Sequence, residues 1–224
     1  EEAAEEARKK EEAAEQAKKE AEEAAEEAKK KEEAAEQARK AAEEAAKQAD
    51  IPAEISHIGS MAGYGQMKNV LRVIDAYRAN GVDAACDCYP YNAFSTTIGS
   101  APYDDLKAIH CEYHDIEMCE GKYKGMRCDR EIFEEERKSY PEYLTVGHVI
   151  KEEDIRTAYR HPNVTVGSDV FLKNGNGHPR AAGAFPRFIR VYAPECGLTL
   201  QEAIARITAL PAERLGLKNK GTLR

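Results

Sequence analysis

From Pro52 onward, the apolar positions alternate between a helical and a strand-like spacing. Gln66 to Asn80 carries Val70, Leu71, Val73, Ile74 and Tyr77 at a helical period, with Gly81 where a C-terminal cap belongs. Ile55-Ser56-His57-Ile58 before it and Val82 to Asp87 after it read as strands, so the order strand, helix, strand predicts a βαβ unit with parallel strands. Next come an expected short helix or lid segment over 103–120, a helix over 129–139 with Phe133 inward, and a strand from Leu144 to Ile150. Glu152 to Tyr159 reads as a helix, and 163–169 as a strand whose β-branched run ends in Gly167-Ser168-Asp169. Pro186 to Ala193 is helical in pattern. Thr199-Leu200-Gln201-Glu202 is a capping box opening a helix over Leu200–Ala209, and Pro211 starts a last short helix that ends near Gly216. About four strands alternate with helices. The expected fold class is therefore α/β, a partial (β/α)8 barrel of the TIM type, about half of an eight-stranded one.

Residues 1–49 follow a different rule. They are almost entirely Glu, Ala, Lys, Arg and Gln, and the 21 residues EEAAEEARKKEEAAEQAKKEA return as EEAAEEAKKKEEAAEQARKAA. These are strong helix formers with Glu-to-Lys pairs at i,i+4. The 21-residue period equals three heptads and hints at a coiled coil. Every would-be core position is alanine, however, so a partner would bury little apolar area. The expectation is a long, solvent-exposed helical extension, designed rather than evolved in its regularity, that carries no chemistry. Asp50-Ile51-Pro52 ends it, because a residue before proline is pushed out of the helical region. Two domains follow: residues 1–50 and the partial barrel of 51–224.

Charge and cysteines narrow the function classes. The net charge of −8 is concentrated in residues 1–50, which hold eighteen acids against eleven bases; 51–224 hold 23 acids and 22 bases. Neither part is basic, so no nucleic-acid partner is expected. No apolar run reaches membrane-spanning length and no signal peptide precedes the body, so no membrane partner is expected either. The chain begins at Glu rather than Met, as an excised piece would. Six cysteines in a body of this size need no disulfide framework, and reduced thiols in the cytoplasm are the expected state.

Candidate chemistry gathers at strand ends. Asp169 stands at the tip of the 163–169 strand, the end at which barrels and open α/β sheets place their chemistry. It suits a general base or a metal ligand, with a turn or cap aspartate as the plain alternative. The loop after it has glycines at 175, 177 and 183 together with His178 and Arg180. Those two side chains suit substrate orientation, arginine by gripping a carboxylate with two parallel bonds, unless they only tie the loop to its own backbone. His57 ends another strand and suits a metal ligand or a base, set against a structural histidine. His148 is a secondary candidate on the same grounds. His110 and His114 are four apart and would share a helical face, but no third ligand is near in sequence. Cys86-x-Cys88 is not a redox or zinc motif and points one face of a strand into packing. The glycines of 175–183 match neither a phosphate loop nor a dinucleotide fingerprint.

Several of these pieces occur in one order: Ile55-Ser56-His57, Asp87-x-Tyr89-Pro90-Tyr91 with Ser95-Thr96, Gly167-Ser168-Asp169, Gly177-His178-Pro179-Arg180, and Thr208-x-x-Pro211-Ala212-x-x-Leu215-Gly216. Together they resemble the C-terminal half of the N-acyl-D-amino-acid deacylase (D-aminoacylase) family of the amidohydrolase superfamily, over about residues 52–224. The resemblance implies a zinc-dependent (β/α)8 barrel that hydrolyses the amide of N-acyl-D-amino acids or related C–N bonds. It implies that His57 is a zinc ligand and Asp169 the water-activating aspartate, and that His178 and Arg180 lie in a loop beside the active site. Tyr89 falls near the position where some members have a further histidine ligand, and is taken with His178 and Arg180 as substrate-binding.

The family's His-x-His on the first strand, its metal-binding cysteine on an early strand, and the first half of its barrel have no counterpart here. Val170 stands where glycine is expected, and the chain stops where members continue into a small β-domain. Two readings result. One is a metal-dependent amide hydrolase with an N-acyl-D-amino acid as its small-molecule substrate, completed by a second copy or a complementing chain. The other is a non-catalytic fusion, a helical spacer on an inactive half-barrel.

Overall fold

The computed structural model describes residues 52–170, 172–173, 176–177 and 180–222. The chain divides between Ile51 and Pro52 into two units, and the second is described here. The helix expected over residues 1–49 lies outside the described residues.

Strand β1 (Ala53–Ile55) leads into helices α1 (Ile58–Ala62) and α2 (Met67–Ala79) and then strand β2 (Ala84–Cys88). Strands β3 (Phe94–Thr97), β4 (Ile116–Met118) and β5 (Leu144–Gly147) follow, with helix α3 (Arg130–Ser139) before the last of them. Helix α4 (Glu152–Arg160) precedes strand β6 (Val164–Val166) and the two-stranded ribbon β7 (Leu172–Lys173) and β8 (Asn176–Gly177). Helix α5 (Arg180–Arg187) continues as a π-helical turn through Tyr192, and α6 (Leu200–Ile207) and α7 (Ala209–Arg214) close the chain.

The expected βαβ unit is present. β1 pairs parallel with β2, and β2 parallel with β6, giving the order β1-β2-β6. Side chains alternate between the faces of this sheet. One face carries Ala84, Cys86, Cys88, Val164 and Val166, none more than 5% exposed, against α1, α2 and α4. Ile58, Ile74, Ile155 and Tyr159 meet it from the helices, and Tyr159 Oη donates to the Cys88 carbonyl at 2.8 Å. Each such apolar side chain contributes about 1.5–3 kcal/mol on full burial. Both cysteines of Cys86-x-Cys88 are spent on this packing, and all six cysteines are free thiols.

The other face carries Glu54, Ala85, Asp87 and Thr165 and is open, with none of the four buried. A half-barrel is expected to bare an apolar strand face, but here the uncovered face is polar. Arg214 of α7 clamps one end of it, donating to Asp83 Oδ1 at 2.6 Å, to Glu54 Oε2 at 2.9 Å and to the Asp83 carbonyl at 2.9 Å.

No closed barrel is seen among the described residues, which is compatible with the partial one expected. Two expectations are corrected, and the first concerns the Leu144–Ile150 strand, which is not a barrel strand. β5 instead pairs antiparallel with both β3 and β4 in a separate sheet of order β3-β5-β4. Its period-2 pattern announces a strand but not its partners, and the partner strands are only three or four residues long. The helix or lid expected over 103–120 is two 3-10 turns, Ala101–Tyr103 and Tyr113–Asp115, running into β4. His110 and His114 therefore share no helix: His110 sits at φ 51°, and His114 pairs with Glu112 and Asp115 on the surface. This inserted unit has its own core, with Phe94, Tyr103 and Phe133 in ring contact at 5.7 and 6.0 Å.

Candidate functional site

The parallel register places the three strand tips side by side. Cys88 is opposite Val166, so Tyr89 and Gly167 leave the sheet together, and Gly167 N–H donates to the Cys88 carbonyl at 3.1 Å. β1 ends two residues before His57. The strand expected over 55–58 is broken at that point, because His57 turns into the left-handed region at φ 48°, ψ 48° and starts α1. Among the described residues only three non-glycines have φ above zero: His57, His110 and Asp169 at 49°. Two of the three are tip residues of this sheet. Such conformations cost about 1–3 kcal/mol and persist where the surroundings over-determine them. The turn that asks for φ above zero falls on Asp169 itself, so Val170 needs no glycine.

Those surroundings are visible. The Asp87 side chain rises from the open face of β2 and accepts the His57 backbone N–H at 3.0 Å. A Cβ on Gly167 would lie 2.5 Å from Asp87 Oδ1, so any side chain there would have to displace the carboxylate beside it. His57 Nδ1 is 2.9 Å from Ser60 Oγ, which also donates to the His57 carbonyl at 2.9 Å. On the far side, Arg180 Nη2 donates to the Asp169 carbonyl at 3.0 Å and to Asp169 Oδ2 at 3.3 Å. The guanidinium carbon stands 4.2 Å from the centre of the Tyr89 ring, a cation–π arrangement. Arg180 is 5% exposed and Tyr89 fully buried, while the Asp169 side chain keeps 41% of its surface open. The carboxylate is therefore open to water while its clamp is largely covered. Burial pushes the Tyr89 phenol up to about 12 against the opposing pull of nearby Ser60 and Arg180, so it stays a neutral prop.

The structure thus brings Asp169, Arg180 and Tyr89 into contact and sets His57 at the neighbouring tip. His178 lies outside the described residues. His148, a secondary candidate by sequence, lines one cavity of about 210 Å³ with Arg180, Tyr91, Asn92 and Ser95, its Nε2 3.1 Å from Glu117 Oε2. Arg187 supports the loop from behind, donating to the Pro90 carbonyl at 2.7 Å. The sequence offers no signal for Ser60, and it shows Asp87 only as part of the Asp87-x-Tyr89-Pro90-Tyr91 motif, with no role of its own, although a lone carboxylate between two core-facing cysteines of one strand already marks the opposite face. Among the described residues no three His, Cys, Asp or Glu side chains converge to hold a metal ion. A metal-assisted hydrolase site needs about three protein ligands, so the donors described do not complete one.

No family model matches the chain. It is 32% identical over 167 residues to N-acyl-D-glutamate deacylase of Alcaligenes xylosoxydans xylosoxydans, covering 72% of this chain and 34% of that protein. It is 29% identical over 185 residues to D-aminoacylase of the same organism, covering 78% and 37%. Among solved structures it is similar to N-acyl-D-glutamate deacylase from Bordetella bronchiseptica, complexed with zinc and a phosphonate mimic of the tetrahedral intermediate. That match has TM-score 0.61 at 26% identity and covers 78% of this chain and 38% of the other. A D-aminoacylase structure matches with TM-score 0.62 at 25% identity, covering 83% and 40%. No helix among the described residues is long and apolar enough to cross a membrane. The chain spans about a third of the length of the curated relatives. By sequence and by fold, this chain matches the N-acyl-D-glutamate deacylase and D-aminoacylase group of the amidohydrolase family over 72–83% of its own length.

Proposed function

We propose that residues 52–224 are the later-strand portion of an amidohydrolase that cleaves the amide of N-acyl-D-amino acids, and that this chain alone turns them over poorly or not at all. The observation that carries the first part is the row of tips: His57, Tyr89 and Asp169 at the ends of three adjacent parallel strands, the last two joined by Arg180. In the reaction, water adds to the carbonyl carbon and the C–N bond breaks. Asp169 takes a proton from the attacking water and passes it to the departing nitrogen. Arg180, where it faces the 210 Å³ cavity, offers a planar guanidinium to the substrate carboxylate. His57 is the imidazole that would contact a metal, and zinc is the metal that the resemblance implies. No step is assigned to it, because the described donors stop short of a coordination shell.

That shortfall also favours the second reading, a fusion that keeps the family's shape without its chemistry. The missing donors would have to come from a second copy or a complementing chain. Six free thiols support a cytoplasmic setting. The test is zinc stoichiometry by elemental mass spectrometry on the chelator-washed, re-metallated chain, with turnover of N-acetyl-D-glutamate measured beside it. The expected result is less than one tight zinc per chain and no chelator-sensitive turnover. One tight zinc lost in His57→Ala, with turnover abolished in Asp169→Ala, would overturn the inactivity. Turnover that survives Asp169→Ala would remove the base from Asp169.

A further inference from the structure

We propose that Asp87 and Ser60 are positioning residues that fix both the backbone and the tautomer of His57, so that Nε2 is the nitrogen presented at the strand tips. This rests on the preceding reading only in treating His57 as a working group. The backbone part follows from three observations. His57 is held in the left-handed region at φ 48°, a conformation that is unfavourable for a non-glycine residue. Its N–H is donated across thirty residues of sequence to Asp87 Oδ1 at 3.0 Å, a charge-assisted bond. That carboxylate is aimed by packing, since it fills the space that a side chain at Gly167 would need, 2.5 Å from its Cβ position. Asp87 therefore links the β1 tip to the β6 tip: His57 stays turned only while Gly167 leaves room for its anchor.

The tautomer follows from counting protons. Ser60 has one hydroxyl proton and donates it to the His57 carbonyl at 2.9 Å. The same oxygen lies 2.9 Å from Nδ1, where it has only lone pairs left to offer. With the hydroxyl proton on the carbonyl, the ring proton belongs on Nδ1 and the lone pair on Nε2. The Tyr64 hydroxyl donates to the Ser60 carbonyl and holds the turn that carries Ser60. No hydrogen bond from Nε2 to another described residue accompanies these. A neutral imidazole in water prefers the opposite tautomer, so Ser60 is presetting the ring rather than merely touching it. The group presented suits an electron-pair acceptor, either the proton of a bound water or a cation.

The test is made on the whole 15N-labelled chain at about pH 8, above the ordinary imidazole range. Long-range 1H–15N correlations give the tautomer of each histidine, and His57→Gln assigns the pattern. The expected spectrum shows a protonated Nδ1 and an unprotonated Nε2 for His57. Ser60→Ala should return the ring to the common tautomer, and Ser60→Thr should restore the preset one. Asp87→Ala should speed exchange of the His57 amide about tenfold, while Asp87→Asn, which keeps an acceptor oxygen, should not. A protonated Nε2 in the unmodified chain would overturn the proposal whether or not any variant folds, and so would a pattern that Ser60→Ala leaves unchanged. None of these readouts depends on zinc or turnover, so failure of the hydrolase reading would leave them standing, and the converse holds.

Discussion

Replacing Glu136 with methionine should stabilise this protein. Glu136 lies on α3 with no exposed surface, and neither carboxylate oxygen has a hydrogen-bond partner among the described residues. Its surroundings add to the cost. The side chains of Cys128 and Tyr143 lie within reach of its charge, and a Cβ at Gly121 would be 3.5 Å from Oε2. An unsatisfied polar group costs about 1–3 kcal/mol, and a charged one more unless it takes up a proton. Methionine keeps the length of the side chain and fills the same space without that penalty. The expected gain is about 2 kcal/mol, which in a domain of this size raises Tm by roughly 4–8 °C. Urea denaturation followed by tyrosine fluorescence and circular dichroism gives the number, with an unchanged m-value showing that the denatured state is the same. Glu136→Gln should gain less, because it leaves an amide with the same missing partners. A loss of more than about 1 kcal/mol in Glu136→Met would refute the reasoning, because the carboxylate would then be making an interaction worth more than its desolvation.

Other consequences can be checked on the same instruments. Gly167→Ala should push the Asp87 carboxylate off the His57 amide and cost about 2 kcal/mol, with exchange of that amide as the local readout; an unchanged His57 amide would refute the link. Arg206, 6% exposed, donates from Nη1 to the carbonyls of His161 and Val164 at 2.8 and 2.9 Å, so Arg206→Met should cost about 1–3 kcal/mol by leaving the Val164 carbonyl unpaired and the His161 carbonyl with only the 3.4 Å bond from the Val164 N–H. Burial pushes the thiols of Cys86 and Cys111 up to about 12 and of Cys128 to about 11. The unfolded chain ionises them from about pH 8.5, so it sheds protons that the native state keeps, and stability should fall as pH rises from there toward 11–12. Urea midpoints in reductant at pH values of about 7.5 and 9.5 check this; equal midpoints would count against buried thiols.

Elements with their own local chemistry were legible in the sequence. The Thr199–Glu202 capping box, Gly81 after α2 and the inward Phe133 act within a few residues, and the structure shows each in place. The pairing of β5 was not legible, because its alternation is equally consistent with a parallel neighbour and an antiparallel one. At the site, Asp169 and His57 stood out as polar groups after strands. Their left-handed backbones did not, because that conformation is imposed by Asp87, Ser60 and Arg180 from elsewhere in the chain. For Arg180 the sequence leaves open a substrate clamp and a tie to the loop's own backbone; its bond to the Asp169 carbonyl, its burial and the Tyr89 ring make it first a brace for Asp169.

The insertion between β2 and β6 also bears on how quickly the parallel sheet can assemble. Cys86 must find Val164, a partner 78 residues away, before the row of tips exists. The antiparallel unit between them brings its own ends together, with Ile150 N–H donating to the Asn92 carbonyl at 3.2 Å. Once that unit has folded, only six residues on one side and fourteen on the other separate the strands from the closed junction. Closing this shorter loop costs about 1 kcal/mol less entropy than closing the full one, or roughly a fivefold faster search. The antiparallel unit is in this sense a staging step for the sheet that carries the row of tips.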